Sequence, residues 1–303
     1  MKRLLIQLYY TLIYYVPNLA RELFFLLTIR DYLTLNGYID FRWGRYRAGN
    51  LGDDLNKILF ADAQGRRMVL AEWSWLARLS GRTSYSLIGS VAQAAGPSTI
   101  VWGSGILGEQ YAQQLQRPQR ICSVRGPLTR QIYLDQGIEC PAIYGDPALL
   151  LPRFYQPQTK KKRYRIGIIA HIYDETNPAL MHLRNSEDIA FISMRDSDHW
   201  QQVVDQINAC ELIASSSLHG IIIADAYGVP NGWVELSNRV LGKGFKFRDY
   251  FLSVGRPCTE PLQLTAQTTL DELLALRAQW QAPQIDLQPM IEACPLNLLF
   301  SQQ

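Results

Sequence analysis

The chain runs through the same pattern twice. Short apolar runs alternate with helix-length segments as far as residue 150. They pause at a stretch from 152 to 165 that carries two prolines and the run Lys160-Lys161-Lys162-Arg163, and then begin again. Strands that alternate with helices mark an α/β protein, because parallel neighbours in a sheet need a crossover and the crossover is usually a helix. The interruption reads as a domain boundary. The expected architecture is two Rossmann-like domains with a cleft between them. Residues 1–35 form a helical segment packed on the first domain, residues 36–152 the first domain, and residues 153–303 the second, including C-terminal helices. Strands are expected over 38–43, 86–89, 99–102, 120–124, 165–170, 188–193, 210–214 and 233–236. The clearest helices are expected over 53–61, 127–136, 198–208, 218–227 and from 269 onward. Pro127 suits a first helical turn, and Thr269 with Glu272 forms a capping box.

Composition narrows the function classes. With 48% hydrophobic and 19% charged residues in 303, two sizeable cores can form. A net charge of +3 is too small to imply nucleic acid as a partner. The five cysteines are scattered without a CxxC spacing, and none of the four histidines pairs with another at a metal-ligand spacing. A disulfide framework and a metal site are therefore not expected, and a reducing, cytoplasmic compartment fits. From Leu4 to Ala20 no residue is charged, yet the run holds Gln7, Thr11, Pro17, Asn18 and four tyrosines, and Arg21 and Glu22 follow it. That is short of the roughly 20 apolar residues a spanning helix needs. It reads as amphipathic or buried helix, either packed on the first domain or touching the inner face of a membrane. The 160–163 run reads as solvated linker, or as a contact for anionic lipid headgroups.

In open parallel sheets ligands bind where strands end, so the loops that follow strands matter most. Residues 49–56 (GNLGDDLN) open a helix with Asn50 at its cap and Asp53 in its first turn; this is a good helix start, and also a place where bared N–H groups and a carboxylate meet a ligand. Arg125 in SVRGP stands between a strand and a helix, where its planar fork suits a carboxylate or phosphate, or a surface salt bridge. The loop Ser215-Ser216-Ser217-Leu218-His219-Gly220 leads into a helix that is apolar on nearly all sides and hence buried. His219 lies in its first turn, where the positive helix end lowers an imidazole pKa and a bound dianionic phosphate would restore it. Residues 235–250 carry Glu235, Lys243, Lys246 and Arg248, with Lys243 between two glycines, as in a mobile cationic flap. Asp146 is a turn residue or a cleft carboxylate, and Asp225 a structural partner for an arginine.

Together, residues 49–56 (GNLGDDLN), 101–107 (VWGSGIL), 123–127 (SVRGP), 144–150 (YGDPALL) and 215–230 (SSSLHGIIIADAYGVP) resemble the polysaccharide pyruvyltransferase family, in the flavour that forms ketals on exopolysaccharides. The resemblance implies a fold similar to GT-B glycosyltransferases and phosphoenolpyruvate as the donor. The acceptor it implies is a sugar of a surface polysaccharide or its lipid-linked precursor, with no redox cofactor or metal. It places the general acid on His219 and an anion-binding arginine on Arg125. Some members carry a second arginine where this chain has Ser217, so Lys243, Lys246 or Arg248 is expected to compensate, beside Ser216, Ser217 and Leu218 of the donor loop. Asp53 is the first choice of base and Asp146 the second; Asn50 and Glu235 complete the cleft. Two other readings stay open: a GT-B-like glycosyltransferase with Glu235 on a nucleotide ribose, and a non-catalytic subunit of polysaccharide assembly.

Overall fold

The computed structural model describes residues 2–28, 31–158, 161–257 and 260–299; Lys160 and Cys258 lie outside the described residues. The chain opens with helix α1 (Lys2–Tyr10), a π-helical turn (Thr11–Tyr15) and α2 (Val16–Thr28). Strands β1 (Tyr32–Asn36), β2 (Phe41–Arg42) and β3 (Arg45–Tyr46) follow, then α3 (Leu51–Phe60), β4 (Arg67–Leu70), α4 (Trp75–Ser80), β5 (Ser84–Ser86), β6 (Thr99–Trp102), β7 (Arg120–Ser123) and α5 (Pro127–Asp135). The second half holds β8 (Tyr164–Ile169), β9 (Ile189–Phe191), α6 (Trp200–Asn208), β10 (Cys210–Ser215), α7 (Leu218–Ala226), β11 (Asn231–Glu235), α8 (Phe245–Ser253), β12 (Leu262–Gln263), α9 (Leu270–Ala275) and α10 (Gln288–Glu292).

Ten of these strands form two five-stranded sheets, ordered β4-β1-β5-β6-β7 and β12-β11-β10-β8-β9. Every pairing in both is parallel. Each sheet reverses direction once. From β1 the chain moves to β4 on one side and then to β5 on the other; from β8 it moves to β9 and then to β10. The connections leave such a point on opposite sides and open a crevice beyond the strand ends.

Two expectations need correction. The first strand is Tyr32–Asn36, all but its last residue inside the 1–35 stretch read as helical, and residues 38–43 supply only the short β2 of a two-residue hairpin with β3. β1 pairs with β4 on one side and β5 on the other and has four buried residues of five, so the sheet fixes it as a strand although it follows an apolar helical tract. The basic run is not all solvated linker either. Lys162 donates to the carbonyls of Asn208 and Cys210, both at 2.8 Å, and so closes the end of α6 against β10. The Thr269–Glu272 capping box forms as expected.

The two halves share a core. In α7 every residue from Leu218 to Asp225 is buried, and Ile221, Ile222 and Ile223 are fully so, each contributing about 1.5–3 kcal/mol of transfer free energy. The helix packs on α3 and on the 3-10 segment Pro147–Arg153 of the first half. Asp225 is the structural hub the sequence suggests, accepting from Arg256, Asn231, Trp280 and Tyr250. The C-terminal segment returns to the first half, where Trp102 donates its indole N–H to the Met290 carbonyl at 2.7 Å. No helix among the described residues is long and apolar enough to cross a membrane.

Candidate active site

A cavity of about 570 Å³ is lined by loops that follow strands of both sheets. Residues 37–42 come after β1 and Ser90 after β5; His171, Ile172 and Tyr173 come after β8; Ser217, Leu218 and His219 after β10. These are the loops of the two crevices, so both switch points open on one space. The wall is divided by chemistry. The second half brings His171, His219, Arg195 and Lys246, and the first half brings Asp40, Asp53 and Glu72, with Arg42 paired to Asp40, among the aromatic rings of Tyr14, Tyr38, Trp73 and Tyr111.

His219 enters the wall from the first turn of α7, and its ring packs against Gly52 at the start of α3. A Cβ on Gly52 would sit 1.9 Å from His219 Nδ1. Only glycine leaves room for the ring, which gives the GNLGDDLN motif a steric purpose beyond its cap. Gly52→Ala is expected to destabilise the fold by about 1–3 kcal/mol, as overpacking does, measurable by urea denaturation. His219 Nε2 faces Asp146 Oδ2 at 3.9 Å, and neither atom makes a hydrogen bond to any described residue, although both are buried. Asp146 Oδ1 caps the Pro147–Arg153 segment by accepting from the Ala148 amide at 3.0 Å.

The electrostatics follow from burial. His219 is pushed down to about 3 by burial, with Lys246 and Arg125 adding to the effect. Asp146 is raised to about 7, chiefly by burial. Asp53 is also raised to about 7, by burial and then by Asp54, with Lys246 and the Asn50 amide opposing. Lys246 falls to about 8, through burial and then Arg125. His171 falls to about 4, through burial, Lys246 and Arg195. Acids, imidazoles and a lysine all pushed toward their uncharged forms in and behind one cavity wall mark it as a candidate reacting site.

The wall does not include every residue expected there. Arg125 is fully buried behind it. Its Nε and Nη2 bind Asp249 Oδ2 at 3.0 and 2.9 Å, Nη2 also reaches the Ile106 carbonyl, and Nη1 donates to Ser90 Oγ at 2.7 Å. The guanidinium is committed to α8, and it reaches the cavity through Ser90 and its charge. Of the three compensating cations, Lys246 lines the cavity. Lys243 is exposed at φ +46°, and Arg248 turns back to the Lys243 carbonyl. Glu235 accepts from Gln263 and stands outside the wall. Ser216 is spent on the His171 amide, so it orients the loop after β8. Ser217 and Leu218 line the wall, as do Asn50 and Asp53, joined by the Asn50 Nδ2 to Asp53 Oδ2 bond at 3.0 Å. His171 and Arg195 were missed because neither lies in a recognisable motif; their places after β8 and β9 were the available signal.

A sequence profile described as polysaccharide pyruvyl transferase matches residues 23–238. An uncharacterized protein of Acanthamoeba polyphaga mimivirus, L143, is 26% identical over 211 residues, covering 68% of this chain and 71% of its own. The succinoglycan biosynthesis protein ExoV of Rhizobium meliloti (strain 1021) is 27% identical over 237 residues, covering 73% of this chain and 68% of its own.

Proposed function

The chain belongs to the polysaccharide pyruvyl transferase family, and from that premise we propose that it moves the pyruvyl group of phosphoenolpyruvate onto a sugar of an exopolysaccharide or its lipid-linked precursor, forming a cyclic ketal. The observation that carries this reading is the divided wall. Imidazoles and cations stand on one side for a trianionic donor, and carboxylates among aromatic rings, one of them holding Arg42, stand on the other for a saccharide. The parallel sheets with facing switch points support a GT-B-like pair of Rossmann-like domains, 36–152 and 153–303, with the donor and acceptor in the cleft between them. The reaction runs in the cytoplasm, where phosphoenolpyruvate is made.

The chemistry assigned to each residue is as follows. Lys246 holds the donor's phosphate or carboxylate, with Ser217 and the α7 amides beside it. His219 protonates the donor's methylene carbon, so that C2 becomes oxocarbenium-like. One sugar hydroxyl adds to C2 and gives up its proton to Asp53. Phosphate then leaves with the C2–O bond electrons, and the neighbouring hydroxyl adds with loss of its proton to close the ketal. One proton enters at the methylene carbon, two leave the hydroxyls, and one departs on the phosphate. His219 Nε2 faces Asp146 across 3.9 Å without a hydrogen bond: in the empty site burial keeps the imidazole neutral, and a bound dianion favours the imidazolium.

Lys246→Met is expected to weaken phosphoenolpyruvate binding about ten- to hundredfold, the worth of a charge-assisted contact. Donor affinity in the wild type should fall as the pH rises through about 8, where Lys246 loses its proton in the empty site. Titration calorimetry across pH tests both. An affinity flat from pH 7 to 9, or unchanged in Lys246→Met, would remove Lys246 from the donor site. Transfer itself is tested in deuterated water, where the ketal methyl should carry one deuterium from the carbon protonation.

A further inference from the structure

The N-terminal helical run carries a surface that the rest of the protein leaves bare. Every residue from Arg3 to Tyr10 is exposed, and six of these eight are apolar or aromatic, from 42% exposure at Tyr10 to 71% at Leu4. Leu12, Val16, Leu23, Phe24 and Leu27 continue the exposed apolar series through the π turn and α2. What α2 does bury, Glu22 included, faces the body: the Glu22 carboxylate is taken by Tyr32 and Ser74. No other acid occurs in the first 30 residues.

A second element lies along this run. At the β2–β3 turn Trp43 is 62% exposed and donates its amide to the Ile13 carbonyl, with Gly44 against Pro17. Arg45 and Arg47 follow it, both exposed, while Arg42 is paired to Asp40. The combination is an uncovered apolar helix, a bare tryptophan, tyrosines and exposed arginines. Its polar–apolar order matches the headgroup region of an anionic bilayer. A second copy of the same chain fits less well, since a two-fold contact would set these arginines against themselves. The surface also runs up to the cavity. Tyr14 stacks on Trp73 with ring centroids 4.5 Å apart, and both rings line the acceptor side of the wall.

We propose that α1, the π turn and the β2–β3 hairpin dock this protein on an anionic membrane surface, and that docking sets the acceptor side of the cavity at the bilayer. The second clause rests on the pyruvyl-transfer reading; the first does not. Flotation of the full chain with vesicles of phosphatidylcholine, alone or mixed with phosphatidylglycerol, tests it without donor or acceptor. Failure there is thus distinct from failure of the transfer reaction. The chain should float with the mixed vesicles and much less with phosphatidylcholine alone. Leu4→Gln with Leu8→Gln should cut binding about tenfold or more, and Arg45→Gln about fivefold. None of the three lines the cavity, so turnover of a water-soluble acceptor should stay at the wild-type rate. Absence of flotation with mixed vesicles overturns the proposal. So does flotation indifferent to the leucine pair. A concentration-dependent dimer that the leucine pair abolishes, without vesicle binding, would assign the surface to a second copy.

Discussion

His219→Gln should lower turnover by about 10²- to 10⁴-fold, the usual worth of a positioned general acid, while phosphoenolpyruvate still binds. The expectation follows from where the ring sits. It is clamped over Gly52, lines the cavity, and turns one nitrogen to Asp146 at 3.9 Å. In the empty site burial and the nearby cations hold the imidazole neutral, with a pKa of about 3. A neutral imidazole cannot protonate carbon, so the donor's own charge has to restore the proton. The sign of the resulting pH dependence is fixed by linkage. If donor binding raises the His219 pKa, the donor binds with proton uptake, and its affinity improves as the pH falls below the pKa of the complex. That gain continues until the empty-site value near 3 is passed. Calorimetry in two buffers of different ionisation heat, well below the pH of about 8 where Lys246 titrates, reads the uptake directly, and His219→Gln should abolish it. Asp146→Asn should lower turnover while leaving the Lys246 dependence above pH 8 in place, since Asp146 stands behind the imidazole and not in the wall. A His219→Gln enzyme within a few-fold of wild type would remove the histidine from the chemistry.

Asp249→Ala should destabilise the protein by about 3–5 kcal/mol, because it strands a fully buried guanidinium. Asp249 is the acceptor for Arg125 and also for the Thr129 amide and hydroxyl, at 2.9 and 2.7 Å, so one carboxylate from α8 both pairs the arginine and caps α5. A Cβ on Gly126 would lie 2.0 Å from the Asp249 carbonyl oxygen, so the Arg-Gly pair of SVRGP is the seat on which α8 docks. This helix carries Lys246 into the cavity. Arg125 is therefore a positioning residue: Arg125→Ala should lose stability by a similar amount and weaken donor affinity through a displaced Lys246. The double replacement Arg125→Met with Asp249→Leu, which removes both charges, should recover much of the stability but not the affinity. Urea denaturation and donor titration on the same variants separate the two effects. Single replacements that leave stability unchanged while donor binding is lost would instead mean that the arginine meets the donor itself.

Features that depend on neighbours in sequence were legible before the fold was known. The apolar run after Ser217 announced a buried α7 with His219 at its mouth, Pro127 the start of α5, and Thr269 with Glu272 the start of α9. What depended on distant partners was not. The role of Arg125 could not be read because Asp249 stands 124 positions away. The first strand was hidden because Tyr32–Asn36 follows an apolar helical tract without a turn signal strong enough to separate them, and an apolar run as short as Arg67–Leu70 carries little period of its own. Lys246 stood out from Lys243 and Arg248 only once α8 gave each residue a direction. His171 reached the site through the bond from its amide to Ser216 Oγ, a contact no spacing rule predicts.

The most direct test of the account is calorimetric titration of phosphoenolpyruvate into the wild type and Lys246→Met, with a panel of nucleotide sugars as the comparison. Saturable binding of phosphoenolpyruvate that weakens at least about tenfold in Lys246→Met, with no heat from the nucleotide sugars, is the predicted result. Silence toward phosphoenolpyruvate together with saturable binding of a nucleotide sugar would contradict it and make the cavity a glycosyl-donor site.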